Sequence, residues 1–145
     1  MAANANIYGY GRAHAFEQYS DRLEGNRDGI ALVIFTEQPN DAAKNALEKS
    51  FAAIGFDAGA CTYAHIDDLM PDEIFALVEG IDPLVLVACD AKAARLYGQA
   101  VRQEFPPMRR MRLFGREARA FTQLNAMLEQ EADRQAVWHL LKTMA

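Results

Sequence analysis

At 145 residues, 51% hydrophobic and 24% charged, the chain has the size and balance of one soluble domain that buries a core without disulfides or a structural metal. Two cysteines exclude a secreted disulfide scaffold, and the longest apolar run, Ile30 to Phe35, falls far short of the roughly 18 residues of a membrane span. With no charged-then-apolar leader the sequence reads as cytoplasmic, with no membrane partner, and a net charge of −5 excludes indiscriminate nucleic-acid binding.

One domain over residues 1–145 is expected, with the first eleven residues frayed. Arg12 to Leu23 repeats Ala13, Phe16, Tyr19 and Leu23 at helical spacing, and Glu24 to Gly29 reads as a turn. Ile30 to Phe35 is apolar on both faces, the pattern of a buried parallel strand. Asn40 then caps a helix whose buried stripe is Ala43, Leu47, Phe51 and Ile54, with Gly55 at its left-handed end. A second strand is expected near Ala60 to Ile66, and a helix from Pro71 to a stop at Gly80.

Leu84 to Cys89 is a third strand, again apolar on both faces and expected beside the first. Ala91 to Glu104 reads as a helix with Lys92, Arg95, Gln99 and Arg102 on its wet side, ended by Pro106 and Pro107. Met111 to Phe114 is the fourth strand, and Gln123 to Met144 a last helix burying Leu124, Leu128, Val137, Leu140 and Leu141. Alternating strands and helices predict an α/β fold, a three-layer α/β/α sandwich on a mainly parallel four-stranded sheet.

In such a sheet, ligands bind beyond the carboxyl ends of the strands where strand order reverses. The exits of the first and third strands are Thr36-Glu37-Gln38-Pro39-Asn40 and Asp90-Ala91-Lys92, which makes Thr36, Pro39, Asn40, Asp90 and Lys92 ligand-binding candidates. Glu37, before a helix N-terminus, has the chemistry to orient water, and His65 ends the second strand near the same mouth. Cys61, His65 and Cys89 lack a zinc spacing, so no metal and no cofactor is expected, and both cysteines read as buried small hydrophobes. Tyr8-Gly9-Tyr10-Gly11-Arg12 reads as a loop with incidental tyrosines, and no phosphate-binding glycine loop is present.

The net charge conceals a segregation. Residues 92–119 carry +6 and the remainder −11. Arg95, Arg102, Arg109, Arg110, Arg112, Arg116 and Arg119 are therefore the candidate contact residues for DNA or an acidic protein partner.

Read in order, these pieces resemble the uracil-DNA glycosylase superfamily, particularly its small bacterial branch. The family's Gly-Glu-x-Pro-Gly strand exit is matched by Thr36-Glu37-Gln38-Pro39-Asn40, and its helix-closing aliphatic-Ile-Gly-aliphatic-Asp turn by Leu47 to Asp57. Its Ile-x-Pro strand with a following Gly-x-x-Ala resembles Ile81 to Ala94, and its Val-Trp-x-x-Leu-Lys ending resembles Val137 to Lys142. The resemblance spans about residues 30–94 and 120–145. It implies a fold in which a base flipped from DNA is read by an Asn, stacked by an aromatic, attacked by positioned water and released with help from a His.

Residue by residue, Glu37 keeps the family's acidic position while Thr36 and Asn40 replace its glycines. Gln38 stands where some branches carry a water-activating Asp or Asn, and an amide is no general base. His65 stands at the base-reading Asn, Gln123 nearest the catalytic His, and Leu124 replaces the proline after it. The stretch that supplies the stacking aromatic is missing, and so are the N-terminal cysteines of the iron-sulfur branch. The resemblance thus implies a catalytically impaired domain serving as a nucleic-acid or protein interaction module, an accessory in DNA repair or replication. An analogous architecture occurs in a small subunit of the bacterial clamp loader. The alternative is an active base-excision N-glycosylase on uracil-containing DNA, with catalytic roles for Glu37, Gln38 and Gln123.

Overall fold

Ala31-Leu32-Val33-Ile34-Phe35 offers no polar side chain to water, so a strand of this sequence needs cover on both faces. The computed structural model, which describes residues 11–144, provides it. Leu32 and Ile34 enter one core, with helices α1 (residues 11–18), α3 (Pro71–Ile81) and α4 (Ala91–Val101). Ala31, Val33 and Phe35 enter the other, with α2 (Asp41–Ala53), α5 (Leu124–Met127) and α6 (Glu131–Lys142).

Between these cores lies a mixed, mostly parallel sheet of six strands: β1 (Leu23–Gly25), β2 (Ala31–Phe35), β3 (Cys61–His65), β4 (Val85–Ala88), β5 (Met111–Leu113) and β6 (Arg116–Ala120). Their order is β1-β3-β2-β4-β6-β5. The inner four are parallel and the two edges antiparallel. β2 and β4 are neighbours, as their apolar character led us to expect, with Ala31 opposite Val85 and Ile34 opposite Ala88. Strand order reverses between them, so a crevice opens beyond their carboxyl ends. Among the described residues no helix is long and apolar enough to cross a membrane.

Several expectations are corrected. The first helix stops at residue 18, with Ala15 in it and Tyr19 just after it buried and Ala13 exposed, and it is followed by β1, formed by Leu23, expected to end that helix, and by Glu24 and Gly25, expected to turn. Met111–Leu113 is an antiparallel edge. The fourth parallel strand is β6, joined to it through Phe114 and Gly115 at φ +48° and +85°, a hairpin turn usually marked by Asn-Gly. α3 runs past Gly80 and ends on left-handed Asp82. α4 ends at Val101, with Arg102 left-handed behind it. The last helix is two helices, and nothing local in the sequence marks the break. The fraying expected of residues 1–10 and the loop expected at Tyr8 to Tyr10 lie outside the described residues, while Gly11, also expected to fray, opens α1.

Gly98 has a specific task in α4. A Cβ there would sit 2.6 Å from the Gln103 carbonyl oxygen, and its absence lets the chain fold back along the helix, with the Gln103 N–H donating to the Gly98 carbonyl at 3.0 Å. At the exit of β2, Asn40 caps α2 by accepting from the Ala43 N–H at 2.9 Å. Asn40→Ala should cost about 1 kcal/mol, read as a lowered urea midpoint, because that helix donor loses its acceptor.

Candidate functional site at the strand exits

Asp90 follows β4 and caps α4, and the residue is only 5% exposed. Oδ1 accepts from the Ala93 N–H at 2.8 Å and the Thr36 hydroxyl at 2.8 Å. Oδ2 accepts from the N–H groups of Thr36 at 2.9 Å and Glu37 at 3.2 Å. One buried carboxylate thereby joins the exits of β2 and β4. Those four donors leave it a structural acceptor, with its lone pairs engaged in holding the backbone.

The same crevice is crossed by a second set of polar contacts. The Gln123 amide donates to the Glu37 carboxylate, and a lone antiparallel bridge pairs Asp90 with Gln123. Asn125 accepts from the Asn40 N–H at 2.9 Å and donates to the Gln38 carbonyl at 3.0 Å. Gln38 itself donates through its amide to Glu24 at 2.6 Å, and Lys44 reaches that carboxylate at 3.4 Å. Glu37, Gln38 and Asn40 are exposed, while Pro39 is buried beneath the loop.

His65 lies one strand away, its ring stacked on Phe35 with centroids 5.4 Å apart and planes 9° from parallel. Gln38 and His65 share a cavity of about 280 Å³ with Phe35, Arg22 and Glu24. The structure thus brings Gln38 and His65 together, and separately Glu37 and Gln123. Lys92 is held at 2.8 Å by Asp67, whose carboxyl is kept below the usual range by that bond. Burial pushes both Cys61 and Cys89 thiols up from their ordinary value, so neither is poised as a nucleophile. Among the described residues no three His, Cys, Asp or Glu side chains group to hold a metal ion.

No family model and no curated protein matches this chain. Its functional reading therefore rests on the geometry of its own residues.

The basic segment divides under this geometry. Arg119 is fully buried and Arg116 is 7% exposed, which removes both from any contact surface. They point to opposite faces of β6. Arg116 binds Glu79 at 2.7 Å, Asp82 at 3.1 Å and the Pro83 carbonyl at 3.1 Å, fastening the end of α3 to the sheet. Arg119 fastens β5 and the end of α6 through Glu117, Met111 and Thr143. Arg112 is exposed and pairs with Glu117 at 3.3 Å. Arg95, Arg102, Arg109 and Arg110 are exposed.

Sequence reading missed Asn125 and Glu24, which complete the crevice. Asn125 meets Asn40 and Gln38 across 85 and 87 positions of chain, and no local signal announces a contact of that separation.

Proposed function

We propose that the chain is a uracil-DNA glycosylase-like domain, a three-layer α/β/α sandwich, that has lost efficient catalysis and serves as an interaction module for a nucleic acid or protein. The observation that carries this reading is the occupied crevice. Asp90 is engaged by four donors and Glu37 by Gln123. Gln38 at the water-activating position has no basic lone pair to offer. A glycosylase at this crevice needs a group free to orient water and donors aimed at the leaving base, and each absent donor raises the barrier by several kcal/mol. Arg95, Arg102, Arg109 and Arg110 are exposed and form no ion pair with the described residues, which suits a binding role.

Support for the fold comes from the parallel order β3-β2-β4-β6 with its reversal between β2 and β4, and from helices on both faces. The test is a single-turnover assay on uracil-containing single strands with the parent chain and Glu37→Ala. Neither should release uracil. Release by the parent that falls at least about tenfold in Glu37→Ala would overturn the reading.

A second reading has one observation in its favour. The cavity of about 280 Å³ places the Phe35–His65 stack beside the Gln38 amide, a setting able to hold a flipped base between a ring and a hydrogen-bonding edge. In that case the same assay gives product, and His65→Ala reduces it.

A further inference from the structure

The reading as an interaction module leaves open where the partner sits and what it is made of. A second, larger cavity starts at Ala91 and runs along α4. It is a groove of about 560 Å³ between α4 and the segment that folds back along it. Arg95 and Arg102 line its helical side, and Phe105, Pro106 and Pro107 the opposite wall. Gly98 lies between them, where the missing side chain lets the two walls approach.

Charge pairing leaves Arg95, Arg102, Arg109 and Arg110 without a carboxylate among the described residues, and the first two of them line this groove. Within residues 92–119, Lys92, Arg112, Arg116 and Arg119 each meet a carboxylate. Arg95 and Arg102 form no ion pair with the described residues, although the chain carries 20 acidic side chains. A groove with one apolar wall and two unpaired guanidinium groups matches a ligand that brings both carboxylates and aliphatic side chains.

We infer that this groove binds an extended acidic peptide segment of a partner protein, with carboxylates two residues apart seated on Arg95 and Arg102. The spacing decides the shape of the ligand. Six residues of α4 and its left-handed cap residue put the two positions on the order of 10 Å apart, too far for one phosphate or carboxylate to bridge. Alternate residues of an extended chain share a face about 7 Å apart, so carboxylates at i and i+2 of a strand-like peptide face both long guanidinium side chains while the residue between them turns to the opposite wall. The guanidinium fork binds each carboxylate in a bidentate fashion, and the aliphatic residue between them lies against Pro106 and Pro107.

A nucleic acid suits the groove less well. Its only aromatic, Phe105, is 7% exposed and offers no face for stacking bases.

This inference rests on the interaction-module reading, and the test separates the two. Fluorescein-labelled pentapeptides with Asp or Glu at the first and third positions and Leu, Ile or Val elsewhere are titrated by anisotropy into the full chain. The same series with Lys replacing the acids, and an oligothymidylate strand, serve as comparisons. Acidic peptides should bind, with amide shifts in a ¹H–¹⁵N spectrum confined to residues 91–107, and weaken as salt rises. The double variant Arg95→Glu/Arg102→Glu should weaken them at least about tenfold, and Pro107→Glu, which leaves both arginines in place, should weaken them too. Both changes are at exposed positions, so a native spectrum is expected for each.

No binding of any acidic peptide to the folded chain, or binding untouched by both variants, overturns the inference. Oligothymidylate binding that displaces the peptides and is lost in the double variant overturns it as well, while leaving the interaction module standing with a nucleic-acid partner. Uracil release in the assay described above would instead sink the non-catalytic reading and leave the groove to be judged by its own titration.

Discussion

Arg119→Ala is expected to lower the free energy of unfolding by about 3–4 kcal/mol, read as a shift of the urea midpoint at unchanged m. The side chain is completely buried and makes five hydrogen bonds: to Thr143 Oγ1 at 2.9 Å, to the carbonyls of Met111 at 2.9 Å, Ala118 at 2.8 Å and Thr143 at 3.1 Å, and to Glu117 at 2.9 Å. Truncation leaves acceptors on β5, β6 and the end of α6 facing a void, and each unsatisfied buried acceptor costs about 1–3 kcal/mol. Partial collapse and water entry keep the total below the sum. Arg119→Lys should recover less than half, since a single ammonium cannot reach three elements at once.

The Arg119 variant should also change the response to acid. The Arg119 guanidinium, with Arg112 behind it, holds the Glu117 carboxyl below its ordinary range. A carboxyl depressed in the folded state contributes stability that is present above its unfolded value and lost as pH falls through the folded one. The parent should therefore lose stability on acidification more steeply than Arg119→Ala, whose Glu117 keeps only its partly exposed contact with Arg112. Parallel acid titrations of the two would refute this account of the pair.

Asp90→Ala is the second large effect, about 3 kcal/mol, which for a chain of this size lowers Tm by about 6–12 °C. The helix cap accounts for about 1 kcal/mol. The rest is the loss of the charged acceptor for Thr36 and Glu37, whose N–H groups are left without it at the end of β2. Asp90→Asn should fall between, because the amide keeps one acceptor oxygen and turns an NH₂ toward donors. A calorimetric Tm within 2–3 °C of the parent for Asp90→Ala would show that water replaces the carboxylate at little cost, and that the exits are not held together by it.

The sequence made the central sheet legible where burial and composition agree. Ile30 to Phe35 and Leu84 to Cys89 have no polar residue to place, so their centrality and adjacency followed from the pattern alone. The helix beginning after Asn40 was equally plain, because its cap and its left-handed Gly55 are local signals. β6 was hidden by its own residues. Arg-Glu-Ala-Arg-Ala reads as a wet segment, and its burial depends on Glu79, Asp82 and Thr143, which lie 24 to 37 positions away. The same blindness placed Arg116 and Arg119 on a contact surface. At the crevice, the identities of Glu37, Gln38, His65, Asp90 and Gln123 were readable, but their mutual engagement was not, since Asp90 meets Thr36 across 54 residues.

The buried Asp90 carboxylate also bears on how fast this protein can meet another. Because it ties the exits of β2 and β4 to the first turn of α4, those loops separate only when strand and helix part together, which is opening on the scale of the whole domain. The helix presenting Arg95 and Arg102 is anchored at its first turn by the same carboxylate. On the proposed binding role, a partner would meet a preformed surface at little ordering cost, and would associate at a rate set by orientation and charge steering rather than by a slow rearrangement of the domain.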